Sequence, residues 1–172
     1  MGKRKRNDEI SAPKSKLFPI DKLVPYEKNP RIHPEHQVQQ LVDSITEYGF
    51  VSPLVIDSKF RVIAGHGRLM AANRLGLSHV PCVIVDHLTE AQRRAYIIAD
   101  NRLALNSDWD MDILKEEVRD LDADGFDIDV LGFSLSEIEA LTVDLKSVPR
   151  VRKEKKSNAV DCPSCGHRFT IE

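Results

Sequence analysis

The stretch Arg61-Val62-Ile63-Ala64-Gly65-His66-Gly67-Arg68-Leu69-Met70-Ala71-Ala72 changes its periodicity in the middle, and that change decides the fold. Up to Ala64 it is a short β-branched apolar run, the pattern of a buried strand. From Arg68 the apolar positions Leu69, Met70, Ala72 and Leu75 recur at helical spacing until Gly76 stops them. Two glycines occupy the joint. Glycine lets a backbone approach a ligand closely, and the free N–H groups of a helix N-terminus face an anion. Strand, glycine turn and helix make an α/β unit in which Arg68 stands ready to clamp a phosphate oxygen. The plain alternative is that Gly-x-Gly is only a turn and His66 only a structural or exposed histidine; otherwise His66 donates to phosphate or serves as an acid or base near neutral pH.

Working outward, Pro53-Leu54-Val55-Ile56 precedes the strand and is joined to it by the polar Asp57-Ser58-Lys59, which predicts a hairpin. Upstream, Val38, Leu41, Val42 and Ile45 define an amphipathic helix ending at Gly49. Downstream, Val80 to Val85 predicts another strand, with Cys82 as a core thiol. Thr89 and Gln92 then have capping-box spacing and open a helix running through Tyr96, Ile97, Ile98 and Leu103, with Asp100-Asn101-Arg102 near its end. A helix around Met111 to Leu121, the turn Ala123-Asp124-Gly125, and a helix opened by Ser136 with Glu139 complete a small helical cover. The expected class is a compact mixed α/β (α+β) domain.

The chain has 172 residues, 41% hydrophobic and 30% charged, enough for one ordinary core with tails to spare. No apolar run reaches the roughly 18 residues of a membrane helix, and the first residues lack a signal-peptide pattern, so a cytoplasmic protein with no membrane partner is expected. Its three cysteines make no disulfide framework. The net charge of −2 hides a sorting into blocks: +4 over residues 1–16, −11 over 108–144, and +5 over 146–156. Both basic segments read equally as solvated linkers or as non-specific DNA contacts.

The turn and its surroundings resemble the ParB/sulfiredoxin-like family, the group that includes the ParB N-terminal "nuclease" domain. The resemblance rests on Ile63 to Ala72, followed by Leu75-Gly76-Leu77 and Val80-Pro81, together with Asn29-Pro30-Arg31, Ser44 to Leu54, and Ala99-Asp100-Asn101-Arg102. It covers about residues 18–105. It implies a compact α/β domain in which the Gly-x-x-Arg turn binds nucleotide phosphate. Gly65, His66, Gly67 and Arg68 would hold a nucleoside triphosphate (CTP or ATP) with Asn29 and Arg31 flanking. Asp100 and Asn101 would help hold magnesium and support hydrolysis, with His66 as a candidate acid or base. The Gly-His-Gly-Arg form, with the match extending through Asn106 to Leu121, is similar to the branch found in prophages and in DNA methyltransferases. Partition proteins commonly carry Glu and two further arginines where this chain has His66, Gly67 and Met70, so two phosphate clamps are absent. A sulfiredoxin's catalytic cysteine would fall at His66, which excludes that activity.

On this reading residues 1–16 form a disordered basic arm, 17–105 the family domain, 106–145 an acidic helical extension, 146–160 a basic linker, and 161–172 a candidate half zinc knuckle. The knuckle is Cys162-Pro163-Ser164-Cys165-Gly166-His167; Cys162, Cys165 and His167 would supply part of a tetrahedral zinc site. No helix-turn-helix with a basic recognition helix is expected after Asn101, because the acidic block stands there. The favoured function is a nucleotide-binding, DNA-associated accessory protein of a prophage or mobile element, with a DNA methyltransferase or phage protein, or a second copy in a homodimer, as candidate partner. The alternatives are a nuclease or small-molecule kinase of the same fold, and a regulatory binding module without catalysis.

Overall fold

The computed structural model describes residues 14–143 and, as backbone, the two short strands at 159–161 and 168–170. A four-stranded sheet is built from β1 (Lys16–Pro19), β2 (Leu54–Ile56), β3 (Val62–Ala64) and β4 (His79–Ile84), in the order β1-β4-β2-β3. β1 runs antiparallel to β4 with Phe18 opposite Val80, β4 runs parallel to β2 with Cys82 opposite Leu54, and β2 returns antiparallel into β3. The predicted hairpin is present, with its register shifting between Val55 and Ile56. β1, which the sequence pattern does not isolate, extends the sheet past β4.

Helices α2 (His66–Arg74) and α3 (Glu90–Leu103) pack against this sheet, and α1 (Glu35–Tyr48) packs on α2. α2 lies in the middle of the core. Its Leu69 and Ala72 join Leu54, Ile56, Val62, Val80 and Cys82 in one apolar cluster, while its Ala71 joins Val38 and Val42 of α1 in another. Small residues on α2 let both neighbours come close. Each fully buried Val or Leu in these clusters contributes about 1.5–3 kcal/mol.

α2 begins two residues earlier than the apolar pattern predicts, at His66, because Gly65 takes the left-handed conformation (φ 93°) that opens it. His66 and Gly67 are therefore first-turn residues and not loop. α3 starts as expected: Thr89 and Gln92 form the full capping box. Its interior differs from expectation, since only Ile97 is buried and Tyr96, Ile98 and Leu103 are exposed.

The Asp57 carboxylate ties the hairpin to α3. Oδ1 accepts the backbone N–H groups of Lys59 (2.8 Å) and Arg61 (2.9 Å), and Oδ2 accepts from Arg61 Nε and Arg93 Nη1, both at 2.7 Å. Burial pushes its pKa up, but the hydrogen bonds and charge of Arg61 outweigh that and hold it below the ordinary carboxylate value.

Two further helices, α4 (Met111–Ala123) and α5 (Leu135–Thr142), follow, with a 3-10 turn at Ile128–Leu131 between them. The segment that joins them rests against α1, where Tyr48 stacks on Phe126 and Gln40 Nε2 donates to the Gly132 carbonyl at 2.9 Å. The box that opens α5 is Ser134 with Glu137, not Ser136 with Glu139. Both pairs have the right spacing, and the helix that starts at the earlier one buries Ile138 and Leu141. None of the described helices is long and apolar enough to cross a membrane.

The remaining strands, β5 (Ala159–Asp161) and β6 (Arg168–Thr170), pair antiparallel in a separate unit. They flank in sequence the segment of Cys162, Cys165 and His167, which lies outside the described residues. So do the basic arm before residue 14 and the basic stretch 146–156.

Candidate functional site

β3 ends at Ala64 and delivers the chain to the turn, and α2 carries it away, so Gly65 to Arg68 sit where strand and helix diverge. Gly65 makes no side-chain cap, and the first N–H groups of α2 are left without one. The turn tolerates no larger residue. A Cβ on Gly65 would lie 2.7 Å from Leu54 Cδ2 and 3.0 Å from Arg68 Nη2, and one on Gly67 would lie 2.8 Å from Leu41 Cδ1 and 3.0 Å from His33 Nδ1.

A second wall comes from the segment between β1 and α1. Val24 bridges Arg61 beside β3, with Val62 N–H donating to the Val24 carbonyl at 2.8 Å, which aims the following residues over the turn. Asn29 Oδ1 accepts the Arg31 N–H at 3.2 Å and closes a local turn. Arg31 Nη1 in turn donates to the Asn101 carbonyl at 3.4 Å, linking this wall to the end of α3.

The result is a cleft of about 210 Å³ whose lining includes all eight residues singled out from the sequence: Asn29, Arg31, Gly65, His66, Gly67, Arg68, Asp100 and Asn101. They come from α2, α3, the turn residue Gly65 and one loop. The structure adds His33, Gln37 and Leu41, which no sequence motif marked. Only the helical spacing of Gln37 and Leu41 on α1 could have suggested that α1 reaches the cleft.

Arg68 is the unusual member. Nη2 makes one long bond to the Pro53 carbonyl (3.4 Å), and its buried Nε has no partner. Burial lowers the guanidinium's pKa and Asp100 opposes the shift, yet arginine stays charged in proteins. A buried cation with an unused donor calls for an anion.

His66 accepts the Tyr26 N–H at Nε2 (3.2 Å), which places its proton on Nδ1 in the neutral ring. Burial, with a smaller contribution from His33, lowers its pKa and favours the neutral ring, whose bond to Tyr26 also pins the loop. Asn101 donates to the Ile97 carbonyl at 2.8 Å, and exposed Asp100 accepts from the Tyr96 hydroxyl at 3.4 Å. The Tyr96 pKa is raised by burial and then by Asp100. Among the described residues no group of three or more His, Cys, Asp or Glu side chains is placed to hold a metal by itself. Cys82 is buried in the sheet, away from the cleft residues, with its thiol pushed up to about 11 by burial.

Comparison with known proteins bears on both halves of the chain. A model of the ParB N-terminal domain matches residues 4–101, and one of the ParB-methyltransferase HTH domain matches residues 112–163. The second match corrects the expectation of no helix-turn-helix. The acidic charge of the region argued against one, and the match spans α4 and α5. The chain is 45% identical over 76 residues to the ParB-like nuclease domain-containing protein YnaK of Escherichia coli (strain K12), covering 44% of this chain and 87% of that protein. It is 32% identical over 89 residues to the nucleoid occlusion protein of Geobacillus sp. (strain WCH70), covering 49% of this chain and 31% of that one. The matching segment is thus under a third of the latter's length. The structure also superposes on the C-terminally truncated chromosome-partitioning protein ParB from Caulobacter crescentus complexed with CTP-gamma-S. The TM-score is 0.56 at 21% identity, over 74% of this chain and 70% of that one.

Proposed function

Because the chain belongs to the ParB N-terminal domain family, with the ParB/sulfiredoxin fold and a ParB-methyltransferase HTH domain after it, we propose that its cleft binds the phosphates of a nucleoside triphosphate in a DNA-associated protein. The observation that carries this reading is the unpaired, buried Nε of Arg68 beside the uncapped first turn of α2. Both groups are anion receptors and both line one cleft.

On this reading Gly65 to Arg68 hold phosphate, with Gly65 and Gly67 kept bare so the ligand can reach the backbone. His66 offers its Nδ1 proton without charge. Asn29 and Arg31 close the cleft from the loop side, and Asp100 and Asn101 stand where a magnesium ion accompanying the phosphates would be held. Magnesium supplies charge neutralisation when bound. The binding of CTP-gamma-S by the Caulobacter relative supports a nucleotide, with CTP or ATP as candidates.

For DNA, α4 and α5 present an acidic surface, with Asp112, Glu116, Glu117, Asp120, Asp122, Glu137 and Glu139 against Lys115 and Arg119. Contact with phosphates therefore falls to the basic stretch 146–156, inside the HTH match, and to the basic N-terminal arm. A DNA methyltransferase is the partner class that the helix-turn-helix match supports, and an origin in a prophage or mobile element belongs to the same proposal.

Calorimetric titration of the full chain with CTP and with ATP, each with magnesium, tests the site. Saturable binding of one of them, lost in Arg68→Ala, is expected. Equal affinity in Arg68→Ala overturns the assignment.

A further inference from the structure

His33 was marked by no motif, yet its ring packs on the first turn of α2 and lines the cleft: a Cβ on Gly67 would lie 3.0 Å from its Nδ1 and 3.1 Å from its Cε1. Nδ1 bonds Gln37 Oε1 at 2.8 Å. A carboxamide oxygen only accepts, so Nδ1 carries a proton and the neutral ring keeps a lone pair on Nε2. That lone pair repels an anion; a second proton makes the same ring a cation with a further donor at Nε2, beside the Nδ1–H held by Gln37. His66 cannot take this part without losing its bond from the Tyr26 N–H.

We propose that His33 is a proton-dependent phosphate-binding residue, supplying by protonation one of the cationic clamps that the glycine turn lacks. The proposal rests on the phosphate reading of the cleft. The charged and titratable groups around His33 are Arg31 on its own loop, His66 and Arg68 from α2, and Asp100 from α3; Glu35 and His36 follow it on exposed positions of α1. Three of the four cleft groups are cationic or become so on protonation. A dianion bound among them attracts a further positive charge on the ring. Imidazole is the side chain whose ordinary titration falls between pH 5 and 8, so ligand binding and proton uptake are linked across that range.

The probe is sulfate, a tetrahedral dianion that does not itself titrate near neutrality, followed in the full chain by NMR of the histidine rings at constant ionic strength. Sulfate should raise the pKa of His33, and its affinity should be about tenfold higher at pH 6 than at pH 8, the range over which one imidazole proton is gained. His33→Gln should flatten that pH profile, and Arg68→Ala should remove binding at every pH. Binding that needs Arg68 but is independent of pH overturns the role of His33 while leaving the phosphate site standing. A pH profile that survives His33→Gln and vanishes in His66→Gln overturns it in favour of His66. Failure of both sulfate and nucleotides to bind at any pH overturns the phosphate reading itself.

Discussion

Replacing Asp57 by Ala removes one carboxylate and four accepted hydrogen bonds, two from backbone and two from arginines. The backbone bonds contribute about 1 kcal/mol each on a net basis. The arginine links are unequal. Arg61 is 32% exposed, so solvent screens its link, whereas Arg93 is only 14% exposed and keeps just Glu90 at 3.3 Å once Asp57 is gone. Adding the cost of leaving Arg93 half-paired gives a loss of about 3 kcal/mol in Asp57→Ala, and about half that in Asp57→Asn, which keeps an oxygen for the turn. At roughly 2–4 °C per kcal/mol for a domain of this size, Asp57→Ala should melt about 6–12 °C lower. Urea denaturation and thermal melting of the full chain measure both. The pH dependence fixes the mechanism. A carboxylate whose folded pKa is depressed stabilises above its unfolded value, 3.8, and that contribution is lost as pH falls through the folded value. The gap between wild type and Asp57→Asn should therefore be constant from pH 7 to about 5 and shrink toward pH 3. A loss below about 1 kcal/mol in Asp57→Ala, or a gap that does not change with acid, refutes the idea that this ion pair anchors α3.

Other outcomes follow from the same geometry. Gly65→Ala should cost about 1–3 kcal/mol by urea denaturation and weaken nucleotide binding, since its Cβ meets Leu54 and Arg68; Gly76→Ala, equally left-handed but with open space around it, should cost about 1 kcal/mol. Equal costs would mean that conformation alone, without the clash, sets the loss. Cys82 should resist alkylation at pH 8 until the protein is unfolded, as read by peptide mass mapping, because burial raises its thiol to about 11. Neutralising Lys146, Arg150, Arg152, Lys153, Lys155 and Lys156 to Gln in the full chain should weaken duplex DNA binding and flatten its log-affinity against log-salt slope, by about 0.9 for each phosphate that the chain no longer neutralises. An unchanged slope would move the DNA-binding surface elsewhere.

Much of the fold could be read from local pattern because the pattern agrees with the packing. The β-branched runs on either side of Asp57-Ser58-Lys59 became a hairpin, Gly49 ended α1, and Thr89 with Gln92 capped α3. Boundaries failed where two solutions satisfied the local rule. Ser134-x-x-Glu137 and Ser136-x-x-Glu139 both have capping-box spacing, and only the first pair makes the reciprocal bonds. The start of α2 was misplaced because a glycine in positive φ carries no apolar signal. At the site, residues bearing a motif were found, whereas His33 and Gln37 were not: their nearness to Gly67 depends on how α1 lies against α2, which is a tertiary fact. The helix-turn-helix was not legible because the acidic side chains of residues 108–144 are the opposite of a basic recognition helix.

The two walls of the cleft differ in how they can open. α2 buries Gly67, Leu69, Ala71 and Ala72 between sheet and α1, so beyond its open first turn its hydrogen-bonded amides exchange with solvent when the core around them comes apart. α3 buries Ile97 alone and depends on Asp57 at its other end, so its last turns, with Asp100 and Asn101, can fray while the fold persists. One wall therefore keeps the lifetime of the native state, and the other runs on a faster clock. For the nucleotide proposed here, arrival and departure would follow the faster one, and its slowing in hydrogen exchange is where occupancy of the cleft would first be seen.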